Sequence, residues 1–213
     1  MINTLDIFRG SQFSKIMRVI CIDGCHGVGK TAIISDIAKR GYHVLDELFF
    51  EMPKFLVPSQ SLTVEFIWIS NWFKRILDMQ KSGMADDAVI FADRSPFSAV
   101  FYSRASPEDR LALEQVIRGM IAELSKYNIT IHTVGLLVER EELWKRVQRR
   151  LEAEPFRREF NEDKRWWLDQ TADWYESFRW DTVIDNSSQR SSVTGLSALI
   201  SPFIRDVCGI NWD

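Results

Sequence analysis

Gly24-Cys-His-Gly-Val-Gly29-Lys30-Thr31 satisfies the spacing G-x-x-x-x-G-K-[ST] of a phosphate-binding loop. Three glycines in eight residues let a backbone curl until several N–H groups face one anion. A helix beginning at the end of the loop adds the partial positive charge of its N-terminus. Lys30 would reach the β- and γ-phosphates of a nucleotide, and Thr31 Oγ1 would ligate Mg²⁺. The nucleotide-binding set is therefore Gly24, Cys25, His26, Gly27, Val28, Gly29, Lys30 and Thr31. The competing reading is a Gly-rich turn that binds nothing. Cys25 sits inside the nest of N–H groups, which would lower its thiol pKa; a small loop residue without redox chemistry is the plainer expectation.

Two further acidic positions have the chemistry to act beside a bound phosphate. The run Val44-Leu45-Asp46-Glu47 ends in a pair of carboxylates. Successive side chains of a strand point to opposite faces, so one of Asp46 and Glu47 faces the crevice. A carboxylate there could take the proton of an attacking hydroxyl; a solvated turn acid is the alternative. The run Phe91-Ala92-Asp93-Arg94-Ser95 follows an apolar strand, where charged groups must be paired or used. Asp93 suits Mg²⁺. Arg94 offers a planar fork to phosphate or to a hydroxyl. An Asp93–Arg94 structural pair, with Asp93 or Ser95 capping a helix, is the bland reading.

The chain alternates strand and helix around these residues. Strands are expected at 17–23, 42–45, 88–92, 131–138 and 180–185. Helices are expected at 32–40, 62–79, 106–127, 141–154, 162–178 and 193–207, the last kinked at Pro202. On the long helix, Phe66, Ile69, Phe73, Ile76 and Leu77 form the expected core side. Strands separated by helices predict right-handed βαβ units. The fold class is α/β, a five-stranded parallel sheet in the three-layer sandwich of the P-loop NTPases, and ligands bind at the carboxyl ends of its strands. Arg146, Arg149 and Arg150 share one helix face, Pro155 breaks that helix, and Arg157-Arg158 follow. This reads as a short Arg-rich lid, at about 150–160, or as a solvated charged helix.

The 213 residues fit one domain, here 17–213 with an N-terminal extension at 1–16. Lys+Arg 27 against Asp+Glu 30 gives a net charge of −3, which argues against gripping polymeric nucleic acid. No apolar run approaches the roughly 20 residues that span a bilayer, so no membrane partner is expected. Three cysteines read as reduced thiols in a cytoplasmic compartment.

The combination resembles the deoxyribonucleoside kinase family, within the thymidylate-kinase-like P-loop group. The resemblance rests on Gly24 to Thr31, Glu47 and Asp93-Arg94-Ser95, and covers most of the chain from Met17. The loop Asp-Gly-Cys-His-Gly-Val-Gly-Lys-Thr is also similar to that of the herpesvirus thymidine kinases. The resemblance implies an ATP- and Mg²⁺-dependent kinase that phosphorylates the 5′-hydroxyl of a nucleoside. It assigns Glu47 as base, Arg94 to the hydroxyl and moving phosphoryl, Asp93 to the metal, and Arg146 and Arg150 to the lid. Glu154 matches the acid that reaches the sugar 3′-hydroxyl. A homodimer is implied as well. Two positions depart from the family: Leu48 stands where Pro is usual, and Ser70 and Asn71 stand where many members carry Gln.

The eight Trp divide. Trp167, Thr171, Trp174 and Phe178 recur as a helix stripe and predict core. Trp68 and Trp72 flank Asn71 one turn apart on the long helix, which the resemblance places along the nucleoside pocket, and it thereby implies that one of Trp68, Asn71 and Trp72 contacts the nucleobase. Phe49 and Phe50 line a ring pocket or belong to the core. A nucleoside-monophosphate kinase is the runner-up; it would need an Arg beside the acid after the second strand, where none stands. A nucleotide-binding regulator without turnover is a third reading. A GTPase is disfavoured, because no Asn/Thr-Lys-x-Asp follows the fourth strand.

Overall fold

Val19 and Cys21 alternate with Ile20 and Ile22 along the first strand, and all four are completely buried. A strand with both faces covered must lie inside a layered sheet. In the computed structural model, which describes residues 16–47, 55–187 and 199–209, that strand is β1 (Met17–Gly24), the centre of five. The order is β2 (His43–Leu45), β3 (Val89–Asp93), β1, β4 (Ile129–Leu137), β5 (Thr182–Asp185), with every pairing parallel. β1 pairs with β3 on one side and β4 on the other, so the chain after β1 emerges where the sheet order reverses. That switch point is where such sheets bind ligands.

Ile20 and Ile22 face one layer, built from α1 (Lys30–Lys39), α5 (Arg140–Ala153), α6 (Arg165–Ser177) and α7 (Ser201–Cys208). Val19 and Cys21 face the other, built from α2 (Leu62–Lys81), α3 (Ser98–Tyr102) and α4 (Pro107–Ser125). The three-layer parallel sandwich is the expected fold class. Ser61 and Ser106 accept hydrogen bonds from the backbone N–H groups of Val64 and Asp109, which fixes the starts of α2 and α4.

Several elements differ from expectation. Phe66 and Leu77 are exposed, not core. α2 is turned so that Trp68, Ile69, Trp72, Phe73 and Ile76 are buried; two indoles remove more apolar area from water than the side chains they displace. Pro202 stands in the first turn of α7, where its missing N–H costs nothing, rather than at a kink. The expected helix over 193–207 lies partly outside the described residues, as do Leu48, Phe49, Phe50 and the extension before residue 16. Between α5 and α6 the lid segment forms a 3₁₀ helix, Pro155–Phe160, closed by Asn161 in a left-handed conformation. Among the described residues no helix is long and apolar enough to cross a membrane.

Candidate active site

The loop after β1 is fastened from three sides. A Cβ on Gly24 would stand 2.6 Å from the carbonyl oxygen of Leu136, so only glycine lets the loop leave β1 this close to β4. Gly29 takes φ 104° at the cap of α1 and presents no capping side chain, which leaves the first helical N–H groups for a ligand. Asn186, just past β5, donates from Nδ2 to the Val28 carbonyl at 2.8 Å. Lys30 Nζ folds back onto the Gly24 and Cys25 carbonyls, at 2.8 and 3.0 Å. Burial first, then the charge of Arg94, lowers the Lys30 pKa to about 8. A bound polyphosphate would offset both effects.

The loop does not activate the Cys25 thiol, in line with the plainer of its two expected readings. Burial pushes it up to about 12, and Lys30 and Arg94 only partly counter that. The thiol stays protonated, 3.5 Å from His26 Nδ1. His26 is held down to about 3 by burial, then by Arg150, Lys30 and other cations. It is a neutral imidazole whose Nε2 is buried without a partner on the cleft wall.

After β2 the two acids part. Asp46 is exposed and accepts from Arg75 of α2, at 2.6 Å through its carboxylate and 2.9 Å through its carbonyl. Glu47 turns inward, and its Oε1 accepts from Arg94 Nε at 2.6 Å. The indole Nε1 of Trp68 donates to the Glu47 carbonyl at 3.2 Å, tying this segment to α2.

Arg94 adopts φ 76°, a left-handed conformation rarely held by a side chain of this size. Such strain persists where the surroundings over-determine it. Here the Arg94 N–H donates to Ile22 of β1 at 3.0 Å, and Nη1 donates to the hydroxyl of Tyr175 at 2.9 Å. Asp23 lies 3.7 Å from the same Nη1. The guanidinium sits 5.3 Å from the centre of the Tyr102 ring. Burial works against its charge, but Glu47, Tyr102, Tyr175 and Asp23 outweigh it and keep it protonated. The bland Asp93–Arg94 pair does not form. Ser95 does not cap a helix; its hydroxyl donates to Asp23 at 2.7 Å.

Asp93 faces Thr31, whose Oγ1 donates to Oδ2 at 2.8 Å, while Asp93 Oδ1 is buried with no partner. Burial, opposed by Lys30 and Arg94, raises the Asp93 pKa. A hydroxyl beside a carboxylate with an unused oxygen is a hard-donor pair of the kind Mg²⁺ takes. These residues fit that ion.

One cleft gathers a subset of the expected residues, drawn from the loop, α2 and the chain after β2 and β3. His26, Lys30, Thr31, Glu47, Trp68 and Arg94 line it, joined by Arg150 and Arg157 from the lid. Arg150 and Arg157 both donate to Glu162, Arg157 at 3.3 Å and Arg150 at closer range; Arg157 also pairs with Glu154. Other candidates stay outside. Trp72 is buried against Phe73. Asn71 is exposed. Arg146 donates to Glu142 and to the Asn186 carbonyl and does not line the cleft. Glu154 ends α5 on Arg157 and does not line the cleft. Trp167, expected in the core, forms part of the cleft wall and packs on Phe101 at 5.5 Å.

Four residues were missed. Asp23, fully buried, accepts from Gly24 N, Ser95 N and both serine hydroxyls of Ser95 and Ser98. Tyr175 and Glu162 position the guanidinia. Glu65 lines the cleft, is 1% exposed, and has an unpartnered Oε1. A charge at the end of an apolar strand marks Asp23 by the argument that marked Asp93. Glu65 lies three and four residues before Trp68 and Ile69, on the buried stripe of α2.

A parallel sheet whose phosphate loop leaves the central strand at the switch point defines a P-loop NTPase-like fold. The chain belongs to the AAA domain family, whose model matches residues 19–190. Among solved structures it is similar to the polyphosphate kinase 2 of Arthrobacter aurescens TC1, with TM-score 0.57 and 15% identity over 94% of this chain and 72% of that one. It is also similar to the NadR protein in complex with NR, with TM-score 0.52 and 15% identity over 93% of this chain and 52% of that one. The chain thus spans about half the length of NadR. At such identity the likeness is one of fold. No curated protein matches the chain by sequence.

Proposed function

We propose that this chain is an ATP-dependent kinase that transfers the γ-phosphoryl group to the 5′-hydroxyl of a nucleoside. The observation that carries the reading is the pairing of Glu47 with Arg94 at 2.6 Å, on the wall of the same cleft as Lys30 and Thr31. A carboxylate beside a phosphate cradle is placed to accept a hydroxyl proton, and a guanidinium beside it is placed to hold the oxygen that loses that proton.

In the proposed step the hydroxyl oxygen forms a bond to the γ-phosphorus, the bond to the β–γ bridging oxygen breaks, and the hydroxyl proton passes to Glu47. Arg94 and Lys30 face the charge that develops on the moving phosphoryl. Arg150 and Arg157 would leave Glu162 for the same charge as the lid meets the nucleotide. Thr31 and Asp93 would hold Mg²⁺, which when bound neutralises phosphate charge. The protein's part is chiefly positioning and electrostatics.

A monophosphate acceptor is the second reading, because Arg150 and Arg157 could also hold an acceptor phosphate. Against it, Arg75, the arginine of α2 nearest β2, is engaged by Asp46 and does not line the cleft. A panel of four deoxynucleosides and their 5′-monophosphates with Mg·ATP tests both readings. Product from a nucleoside is the expected result. Product from monophosphates alone moves the assignment to the second reading. Nucleotide binding with transfer to neither class overturns both.

A further inference from the structure

His26 takes no part in the reaction described above, yet it is built into the wall where that reaction would occur. The residue is 5% exposed and lines the cleft with Lys30, Glu47 and Arg94. A histidine that serves only packing is satisfied at its ring nitrogens or turned to solvent. Here Nδ1 lies 3.5 Å from the Cys25 sulfur, while Nε2 is buried and has no hydrogen-bond partner among the described residues.

The partner on Nδ1 fixes what Nε2 offers. Burial keeps the hydrogen on the Cys25 sulfur, which also accepts from the backbone N–H of His26. The S–H is therefore left to donate to Nδ1. An imidazole that accepts at Nδ1 carries its own hydrogen at Nε2. The loop thus holds one N–H donor on the cleft wall and leaves it unsatisfied. A buried donor in that position costs a protein stability unless a ligand accepts from it.

The surroundings indicate the chemistry of that ligand. Burial first, then Arg150, Lys30, Arg94 and Arg157, disfavour a positive charge on the ring. An N–H among four cations suits a ligand rich in negative oxygen. His26 also shares its cleft with Glu47 and Arg94, where the acceptor oxygen would meet the γ-phosphorus. Arg150 and Arg157 are engaged by Glu162 and must leave it to reach the same group. His26 needs no such release. A donor fixed before charge develops costs no reorganisation when the charge appears.

We propose that His26 is a further catalytic residue whose Nε2–H, aimed by the Cys25 thiol, donates to an oxygen of the phosphoryl group as it passes from nucleotide to acceptor. No covalent bond of His26 forms or breaks, and its proton stays on Nε2. This rests on the phosphoryl-transfer reading of the cleft, though not on which acceptor is used.

The test compares wild type with His26→Leu, His26→Gln and Cys25→Ala. It reads steady-state turnover, affinity for ADP, and affinity for ADP with aluminium fluoride, which mimics the phosphoryl in flight. Leucine fills the space without a donor, whereas glutamine returns an amide N–H. H26L should lower kcat about 30- to 300-fold, with KM for ATP and acceptor within about threefold. It should weaken ADP–aluminium fluoride by a similar factor and leave ADP alone unchanged. H26Q should recover at least about a tenth of wild-type turnover. C25A should lower kcat about 3- to 10-fold, and should add no loss to H26L, because the thiol acts through the ring. Unchanged kcat in H26L, equal losses for ADP and ADP–aluminium fluoride, or a glutamine no better than leucine overturns the proposal. A loss confined to the KM of the acceptor also overturns it and puts Nε2 on an acceptor hydroxyl. A wild type that binds ADP–aluminium fluoride but phosphorylates no nucleoside breaks the nucleoside-kinase reading, while the variants' affinities still decide the role of His26. A wild type that binds no nucleotide overturns both.

Discussion

Arg94 and Glu47 stand at the ends of neighbouring strands β3 and β2, and their side chains meet at 2.6 Å although 47 positions separate them in the chain. The contact joins a residue in a strained backbone conformation to one whose carbonyl is held by the Trp68 indole. Under the proposed reaction it separates two roles, proton acceptance and charge neutralisation, that substitutions can address one at a time.

Glu47→Gln keeps the shape and an acceptor oxygen for Arg94 but has little basicity. We expect kcat to fall by about 10²- to 10⁴-fold. The side chain is partly exposed and the fold does not rest on it, so the melting temperature should move by little. Turnover equal to wild type would remove Glu47 from the role of base.

Asp93→Asn keeps an oxygen for the Thr31 hydroxyl and removes the charge. The Mg²⁺ concentration needed for half-maximal turnover should rise about 10- to 100-fold. A Mg²⁺ titration at saturating nucleotide reads this directly; an unchanged midpoint would detach Asp93 from the metal.

Asp23 accepts hydrogen bonds from Gly24, Ser95 and Ser98 in complete burial, with Arg94 close by. Asp23→Ala strands those donors and leaves the Arg94 charge with one fewer partner. The expected loss is about 3–5 kcal/mol of folding stability, measured by denaturant unfolding. A change below about 1 kcal/mol would show that the serines and Arg94 rearrange around the gap.

The extent to which the sequence announces this site follows from how local each signal is. The phosphate loop is contiguous, and its glycines, lysine and threonine are all legible in eight residues. Asp46 and Glu47 were legible as a pair, but which one faces inward depends on Arg75 and Arg94, from α2 and the end of β3. The strand order is set by which faces pack, so the parallel sheet was legible and its order was not. Tyr175 reaches Arg94 across 81 positions, and nothing near it in sequence marks that contact. Glu65 is the one acid on the buried stripe of α2; the expected stripe shares Ile69, Phe73 and Ile76 with it, but its edges at Phe66 and Leu77 are exposed, and the true edge runs through Glu65, Trp68 and Trp72. Arg146 and Arg150 share a helix face in sequence, yet Asn186 takes the first and the cleft takes the second.

The raised pKa of Glu65 also makes folding depend on pH. Unfolded, the carboxyl ionises near the ordinary glutamate value of 4.5; folded, burial keeps it neutral until about 8. Between these values the native state holds the proton that the unfolded state has lost. Stability therefore falls as pH rises from 4.5 towards 8 and levels off above it. The difference corresponds to about 4–5 kcal/mol over the whole window. Glu65→Gln has no such titration. Its stability relative to wild type should increase from pH 5 to pH 8, by a few kcal/mol, with most of the change above pH 5 and little beyond pH 9. Paired urea unfolding of wild type and E65Q across this range measures it, all other titrating groups being common to both proteins. A constant difference between the two would mean that the Glu65 carboxyl ionises in the folded cleft as freely as in water.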